Sequence, residues 1–482
     1  MISSLRKITY LAVLTGALAA PAAPAQARTD GDEVERAVSA AKDAPRNQGL
    51  NRAAGDALKG AGRYAESIPF YMKAGNQGNL GAAEASYYMY DFESAREYLD
   101  KYLEKRTKAE AEKDVNYSYG LNSGPVDWTE YLSSRISLGE SMLDRVEKIQ
   151  IIDSINVPAE EFFDFVKLAR SAGSLQGTPV VERVVTSQAL DSLGLDDIVS
   201  PAYLTETGDD MIWVGADPTG GSVMYESFRL SDNTWDSPRK LFDYASVFGA
   251  DTGTSVAYPF LMADGVTLYF AADGEESLGG LDIFISRRDE DGFLQPSNVG
   301  MPYNSPFNDY LYAVDEINGV GWWATDRNLI EDSVTIYTFI PQELRINYEV
   351  GTPRLADYAK VNSIADTWVD GVDYETLRNW IDKSSDARRT VASSDFDFAL
   401  PDGRVVHRLS DFSSAMARTA MQNYLKEQKA IAEMQESLSQ LRDRYAHGEK
   451  SVAREILRME HDLEARKADL KHLSNQVVNS EI

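Results

Sequence analysis

Residues 258–273 read YPFLMADGVTLYFAAD, and residues 280–285 follow with GLDIFI. Both runs are short and rich in aromatic and β-branched side chains, a composition that favours β-strands. Glycines and aspartates lie within and between the runs, where they favour tight turns. This stretch therefore predicts strands joined by turns near the middle of the chain.

The same pattern recurs on both sides of this stretch. Residues 210–217 read DMIWVGAD and residues 319–326 read GVGWWATD, each with bulky residues followed by small ones and an aspartate. The aspartates that end the three runs, Asp217, Asp273 and Asp326, are about 55 residues apart. Strand–turn–strand units repeated at this length are typical of β-propeller blades.

The central unit also resembles the WD40-like repeat of TolB-type propellers, whose pattern is P-x-x-S-x-D-G-x-x-L-Y-F-x-S-D, then G-G-x-D-I. The resemblance is carried by residues of this unit and by matching positions of its neighbours: Asp217, Pro259, Asp264, Gly265, Tyr269, Phe270, Asp273, Gly280, Asp282, Trp322, Trp323 and Asp326. Residues 292–305 resemble the inter-blade loop of the same family. Met262 and Ala272 replace the serines of the pattern, and the Pro-x-x-Ser element is missing before Trp322.

This resemblance implies a WD40-like β-propeller domain over residues 201–410, with the best blades at 201–342. Three blades align, whereas a closed propeller usually has at least four, so the blade number stays open. The repeated aspartates could bind cations or basic peptides at one rim, or could cap turns through following backbone N–H groups. Their fixed place in each unit favours the turn role. We likewise expect the tryptophans to fill packing between blades rather than to stack on sugars.

The first 27 residues have the organisation of a cleaved signal peptide. Residues 6–7 are basic, residues 8–20 are apolar, and residues 25–27 supply the small side chains of a cleavage site. The mature chain is therefore predicted to begin at Arg28 and to reach the periplasm of a Gram-negative cell. A chain without cysteine cannot carry the lipid anchor of a bacterial lipoprotein. Because no later stretch reaches about 18 uninterrupted apolar residues, we also expect no membrane span.

Residues 28–144 are predicted to form a helical domain. Residues 62–71 (GRYAESIPFY) and 90–99 (YDFESAREYL) echo each other and resemble the second-helix entry of tetratricopeptide repeats. In such repeats small residues let paired helices pack closely while aromatic residues fill the seam. An unrelated helical bundle is the alternative, because the offset of 28 is shorter than the usual 34 residues. We expect residues 145–200 to be a connector that includes a strand at residues 146–157, where apolar residues alternate before Pro158.

Residues 411–482 are predicted to form a helical hairpin or coiled coil. The apolar residues recur at alternating steps of three and four in two series: Met434, Leu438, Leu441 and Tyr445, then Val452, Ile456, Met459 and Leu463. Gly448 lies between the series, where it favours a helix end and thus two antiparallel helices over one long rod. Self-association through this apolar stripe is one expected use.

Composition excludes several classes of chemistry. The chain has 482 residues, a formal net charge of −28, no cysteine and four histidines, whose spacings match no zinc motif. Residues 201–340 contain 23 acidic against 6 basic residues, so we expect no nucleic-acid binding. The sequence contains no catalytic glycine or histidine motif of the familiar kinds. We therefore predict no catalytic residues, no cofactor and no metal site.

The order of the modules adds a second resemblance. A signal peptide, tetratricopeptide-like helices and a WD40-like propeller are combined in cell-envelope proteins of the Bacteroidota. The fold class predicted here is accordingly multidomain α+β, with N-terminal helical repeats, a central β-propeller-like domain and a C-terminal helical hairpin. The resemblance implies a non-catalytic periplasmic scaffold that binds envelope proteins, including outer-membrane or secretion machinery. The alternative is a carbohydrate-binding or glycoside-hydrolysing propeller, which would need two converging carboxylates.

Overall fold

The structure is a computed structural model. It describes the following ranges of the chain: 31–115, 117–118, 125–159, 162–166, 168, 172–185, 187–195, 197–216, 221–231, 234–242, 255–290, 292–316, 318–342, 344–379, 398–400, 405–406, 408–446 and 450–481. The predicted signal peptide and Asp217 lie outside these ranges. The chain divides into two compact units, Met1–Asn379 and Trp380–Ile482, and each is described by itself.

Helices occupy the first part of the first unit. In chain order they are α1 Gly31–Asp43, α2 Gln48–Gly60, α3 Tyr64–Tyr71, α4 Asn76–Tyr88, α5 Phe92–Glu104, α6 Lys108–Asp114 and α7 Trp128–Leu143. Side chains of Asn47, Asp91, Thr107 and Asp127 accept hydrogen bonds from the first free N–H groups of α2, α5, α6 and α7. These caps explain why the helices begin where they do.

Small residues set the distance between these helices. Tyr71 is almost fully buried, and its ring lies where Cβ atoms on Gly55 and Gly81 would approach within 2.7 and 2.3 Å. Phe92 of α5 occupies the same kind of space beside Gly139 of α7. Neighbouring helices therefore approach closely because glycine leaves room for an aromatic ring, as expected for paired helices.

Strands follow the helices. They are β1 Tyr117–Ser118, β2 Pro125–Val126, β3 Gln150–Pro158, β4 Ser174–Gln176, β5 Asp197–Leu204, β6 Asp210–Ala216, β7 Ser222–Phe228, β8 Arg239–Lys240, β9 Val256–Leu261, β10 Thr267–Ala272, β11 Asp282–Arg287, β12 Ser297–Asn298, β13 Asp309–Asp315, β14 Val320–Thr325 and β15 Ser333–Ile340. Helices also interrupt or follow them, among them α8 Thr178–Val184, α9 Ser187–Leu193 and α10 Leu355–Lys360. The predicted mixed α+β class with N-terminal helices is confirmed.

Apart from the short β1–β2 pair, the strands of this unit form three antiparallel sheets. The first has the order β4-β5-β6-β7-β8, the second β12-β11-β10-β9 and the third β13-β14-β15-β3. All three are open sheets, and none of the described strands closes into a barrel. One apolar cluster, with Ile212, Phe260 and Trp323 among its fully buried members, joins the three sheets. A second cluster packs α8 and α9 against the outer face of the first sheet.

Strand β3 lies where the sequence predicts a strand, within the segment expected to be a connector. It pairs along its whole length with β15, from Ser333 opposite Pro158 to Ile340 opposite Gln150. The third sheet therefore contains a strand that precedes the first sheet in the sequence. The pairing follows from burial, because Ile151, Ile152 and Val157 bury apolar side chains that a connector would expose.

The second unit contains a short hairpin and two long helices. Strand β16, Phe398–Ala399, pairs with β17, Val405–Val406. Helices α11, Ala415–Ala446, and α12, Ala453–Glu481, run antiparallel, since Glu481 accepts hydrogen bonds from the backbone of residues 413 and 414. An apolar cluster between the helices contains members of both predicted series: Ile431, Met434, Leu438, Ile456, Met459, Leu463 and Leu470. Within the described residues, no helix has the length and apolar character needed to cross a membrane.

The close packing of α4 on α3 gives a first prediction. In Gly78→Ala the new Cβ would lie 2.0 Å from the carbonyl oxygen of Tyr71, so the backbone must shift. We expect a loss of about 1–3 kcal/mol in the free energy of unfolding, measured by urea denaturation. The matched control is Gly49→Ala in α2, where the nearest atom is 3.4 Å away. Alanine there should raise stability by up to about 1 kcal/mol, and equal losses in both variants would contradict the packing argument.

Candidate functional site

The last part of the predicted inter-blade loop, together with the three residues that follow it, forms a fully buried irregular segment of the first unit. Residues 299–315 are all buried, although residues 299–308 belong to no strand. We call residues 299–308 the junction loop. Met301 and Phe307 of this loop pack in the same apolar cluster as residues of α4, α5 and α7. The loop therefore lies between the helices and the second and third sheets, and its buried backbone groups require partners.

Two asparagines of the loop supply part of that hydrogen bonding. Asn304 accepts a bond from the backbone N–H of Ile283 at 2.7 Å and donates one to the carbonyl oxygen of Ile283 at 2.8 Å. Its side chain thereby takes the place of a neighbouring strand beside β11. Asn308 accepts a bond from the backbone N–H of Leu281 at 3.0 Å in the same way. These two amides join the junction loop to the second sheet.

Arg327 satisfies the carbonyl oxygens of the loop. It donates to the backbone oxygens of Pro302 and Tyr303 and to Oδ1 of Asp309, each at 2.7 Å. The side chains of Arg327 and Asp309 are only 2% and 0% exposed, so the ion pair is fully desolvated. Burial and the guanidinium act in opposite directions on Asp309, and burial, the larger influence, raises its pKa. The planar guanidinium fits this role because it presents several donors in fixed directions.

Asp326, one of the repeated aspartates, binds the loop rather than its own turn. It accepts hydrogen bonds from the backbone N–H and side-chain amide of Asn308, both at 2.8 Å, and from the hydroxyl of Tyr310 at 2.9 Å. Burial raises the pKa of Asp326 to about 6. The fixed place of this aspartate in the repeat predicted a cap on following N–H groups. The donors described here, Asn308 and Tyr310, instead precede it in the chain.

Asp282 has a similar role at the start of β11. It accepts hydrogen bonds from the N–H groups of Leu278 and Gly279, at 2.8 and 3.0 Å, and from the amide of Asn298 at 2.7 Å. Burial, with the nearby charge of Asp309, raises the pKa of Asp282 to about 7. Gly280 is buried in the same turn. The G-G-x-D part of the motif thus forms a turn closed by its own carboxylate.

Asp264 is the aspartate that caps a turn through following N–H groups. It accepts bonds from the backbone of Val266 and Thr267, both at 2.8 Å, and Gly265 adopts a positive φ of 66° between them. Such a φ favours glycine, which explains the Asp-Gly pair of the motif. Asp273 follows β10 directly, and its backbone N–H donates to the carbonyl oxygen of Ser255.

The aromatic residues of the motif lie inside the protein. Trp213 and Trp323 are fully buried, and Trp322 is 6% exposed. Trp323 stacks on Tyr337 with ring centroids 4.5 Å apart, and Tyr269 lies 4.3 Å from another tyrosine ring, that of Tyr312. The remaining motif side chains, Pro259 in β9 and Phe270 in β10, are also buried. These rings pack against core side chains, and stacking on a sugar would require their exposure.

The helices dock on the second sheet through contacts that no sequence pattern indicated. Arg135 of α7 donates to the carbonyl oxygens of Gly274 at 2.8 Å and Glu275 at 2.7 Å, and to that of Ser277. Tyr87 of α4 donates its hydroxyl to the carbonyl oxygen of Leu278. Beside these contacts lies a small cleft in which Glu84 accepts a bond from the indole N–H of Trp128 at 2.6 Å and pairs with Lys59.

Carboxylates that contact solvent lie mainly at the turns between strands. We call these residues the acidic turns: Glu206, Asp209, Asp264, Glu275, Glu276, Asp289, Glu290, Glu316, Glu331 and Asp332. Among the described residues, no group of three or more acidic or histidine side chains has an arrangement that could hold a metal ion. The negative charge of the sheets is thus spread over their turns, where it produces a field that attracts cations and basic surfaces.

The docking of α7 gives a second prediction. Arg135→Met leaves the carbonyl oxygens of Gly274, Glu275 and Ser277 without this donor, so we expect a loss of at least about 2 kcal/mol in unfolding free energy. The matched control is Arg96→Met, which breaks a partly exposed pair with Glu140 in the same helical region. That change should cost less than about 1 kcal/mol. Urea denaturation measures both, and equal losses would show that Arg135 does not anchor the helices.

The chain was also compared with known proteins. No protein family, no curated protein and no solved structure matches it.

Proposed function

We propose that the protein is an exported, non-catalytic scaffold of the cell envelope that binds basic protein surfaces through its acidic turns. One observation carries this proposal. The motif carboxylates that could perform chemistry are bound by partners within the chain, since Asp282 is fully buried and Asp326 half-buried and both accept several hydrogen bonds, whereas the acidic turns contact solvent. Such an arrangement provides a charged surface suited to association.

We also propose that the three sheets are blades of a propeller-like domain. Each sheet has four or five antiparallel strands in nearly the order of the sequence, as propeller blades do. Neighbouring sheets share one apolar core. Strand β3, which precedes the first sheet, completes the third sheet and so links the two ends of the region, as a closing strand does in a propeller.

The helical part supports a tetratricopeptide-like arrangement as part of the same proposal. Helices α2 and α3 and helices α4 and α5 form consecutive pairs, and the pairs begin 28 residues apart, at positions 48 and 76. Gly55 and Gly81 make room for Tyr71 between the pairs, the role expected of small residues in such repeats. Arg135 and Tyr87 bind the second sheet, so one side of these helices is occupied by contacts within the protein.

The proposed scaffold does not include self-association through the C-terminal helices, because their apolar residues pack within the hairpin. Ile431, Leu438 and Leu463 of the apolar stripe pack on each other between α11 and α12. An antiparallel partner within the chain therefore already covers the seam that a second copy would need.

Partner binding can be tested by photo-crosslinking in living cells. We expect the triple change Glu290→Gln, Glu316→Gln and Glu331→Gln to reduce the yield of specific crosslinked partners at least about tenfold, since it removes three charges from the acidic turns. The matched control changes three exposed glutamates of the helices, Glu33, Glu93 and Glu104, to glutamine. This control removes the same charge and should leave the crosslinks within about twofold of the unchanged protein.

The outcomes separate the two functions. Crosslinks to the same envelope proteins, weakened by salt and by the first triple change alone, support the scaffold. If neither triple change affects the crosslinks, the acidic turns are not the binding surface. If the purified chain instead retains or cleaves a glycan, the carbohydrate-binding or glycoside-hydrolysing alternative replaces the scaffold.

Export has its own test. The proposal expects the mature protein in the soluble envelope fraction, with Arg28 as its N-terminal residue, because residues 25–27 form the cleavage site. Cell fractionation and mass spectrometry of the intact N-terminus measure both. A chain that keeps residues 1–27 in the cytoplasm would overturn the envelope part of the proposal.

A further inference from the structure

Two acidic side chains and one arginine meet where the first sheet packs against the second. Asp210 begins β6 and Glu226 lies in β7, and the strand register places Ile212 directly opposite Glu226. Asp210 is therefore the diagonal neighbour of Glu226 on the same face. Ile212 of this face belongs to the apolar core between the sheets. Arg288, which directly follows β11 of the second sheet, forms an ion pair with Glu226 of the first sheet. We call this contact between the two sheets the seam, and we call Asp210 and Glu226 the inter-sheet acid pair.

Within the described residues, Arg288 is the one guanidinium that forms an ion pair with this cluster. Arg239 of β8 lies directly opposite Glu226, but it is exposed and its guanidinium lies over the ring of Phe228, 4.5 Å from the centroid. The Nη2 of Arg288 bonds Oε1 of Glu226, and the guanidinium also lies over the ring of Phe293, 4.5 Å from its centroid. No donor among the described residues reaches the buried Oδ1 of Asp210, whose carboxyl is in contact with that of Glu226. A hydrogen bond between two carboxyl groups requires a shared proton, and two adjacent negative charges repel each other.

The surroundings of Asp210 favour its protonated form. Burial and the charge of Glu226 raise the pKa of Asp210 to about 7, while Arg288 acts in the opposite direction. The other titratable groups that face it are the neighbouring Asp209, which also raises this pKa, and Tyr203 of β5. The hydroxyl of Tyr203 donates its hydrogen bond to the carbonyl oxygen of Ala172 at 3.1 Å and therefore does not donate to Asp210.

We propose that the inter-sheet acid pair is a pH-sensitive latch, in which a shared proton holds the first sheet against the second and loss of this proton loosens the seam. With the proton present, one net negative charge on the pair faces the single positive charge of Arg288. When the proton leaves to solvent, a second negative charge stays in a half-buried position without a cation of its own.

The sign of the effect follows from linkage. An aspartate in an open seam would regain an ordinary pKa of about 4, whereas in the closed seam its pKa is about 7. The closed seam therefore holds the proton more tightly, and its contribution to stability is fully present below about pH 4. This contribution falls as the pH rises from about 4 to 7 and changes little above that.

Hydrogen exchange of the full-length chain, followed by mass spectrometry, tests the latch directly. After correction for the intrinsic pH dependence of exchange, the opening constant of amides in β6 and β7 should rise about tenfold or more between pH 5 and pH 8. In Asp210→Asn, whose amide stands in for the protonated acid, the rise should stay below about threefold. The matched control, Asp370→Asn at an exposed position, should follow the unchanged protein.

A second variant covers the case in which Asp210→Asn does not fold. Glu226→Gln leaves one carboxyl for one arginine, so it should also remove the rise in opening between pH 5 and pH 8. Parallel pH profiles in the unchanged protein and in the folded variants would overturn the latch. This inference does not rest on the proposed function, because it concerns a seam between two sheets and needs no partner.

Discussion

The fold of the first unit depends on satisfying the buried backbone of the junction loop. An irregular segment has no strand to pair with, and water cannot reach residues 299–308. Arg327 binds two of its carbonyl oxygens, and Asn304 and Asn308 join it to the second sheet. Because the guanidinium and the amides come from different parts of the chain, helices, second sheet and third sheet must assemble together. Loss of the arginine would leave several buried groups unpaired at once, which costs far more than a surface pair.

Local patterns predicted many of the helices and strands, because the signals that carry them act over a few neighbouring residues. The continuous apolar run at residues 268–272 reflects a strand buried on both faces, and Asp264-Gly265 combines a turn cap with a positive φ. The helices of the N-terminal part follow from apolar spacing and from side chains such as Asp91 and Asp127 at their starts. Each of these signals acts within a few residues along the chain, so one sequence suffices to detect it.

Long-range partners could not be predicted in this way. Strand β3 pairs with β15, more than 170 residues later, and nothing in its composition specifies that partner among several equally apolar strands. Arg135 resembles many other helical arginines in the sequence, and only the structure shows that it binds the carbonyl oxygens of Gly274, Glu275 and Ser277. The partner of Asp326 could not be predicted either, because it binds Asn308 of a loop that folds back to it.

The same constraint explains why charge is distributed as it is. Buried carboxylates are costly, and the fully buried aspartates of the second and third sheets, Asp282, Asp309 and Asp315, each have two or more hydrogen-bond donors. Most other carboxylates of the described sheets are placed at turns, where water solvates them at little cost. Asp210 is the exception, since it is half buried beside a second acid and no described donor reaches its Oδ1. The stability of the protein is therefore expected to depend on pH at Asp210. A proton can bind to this carboxyl group or leave it without a rearrangement of the chain.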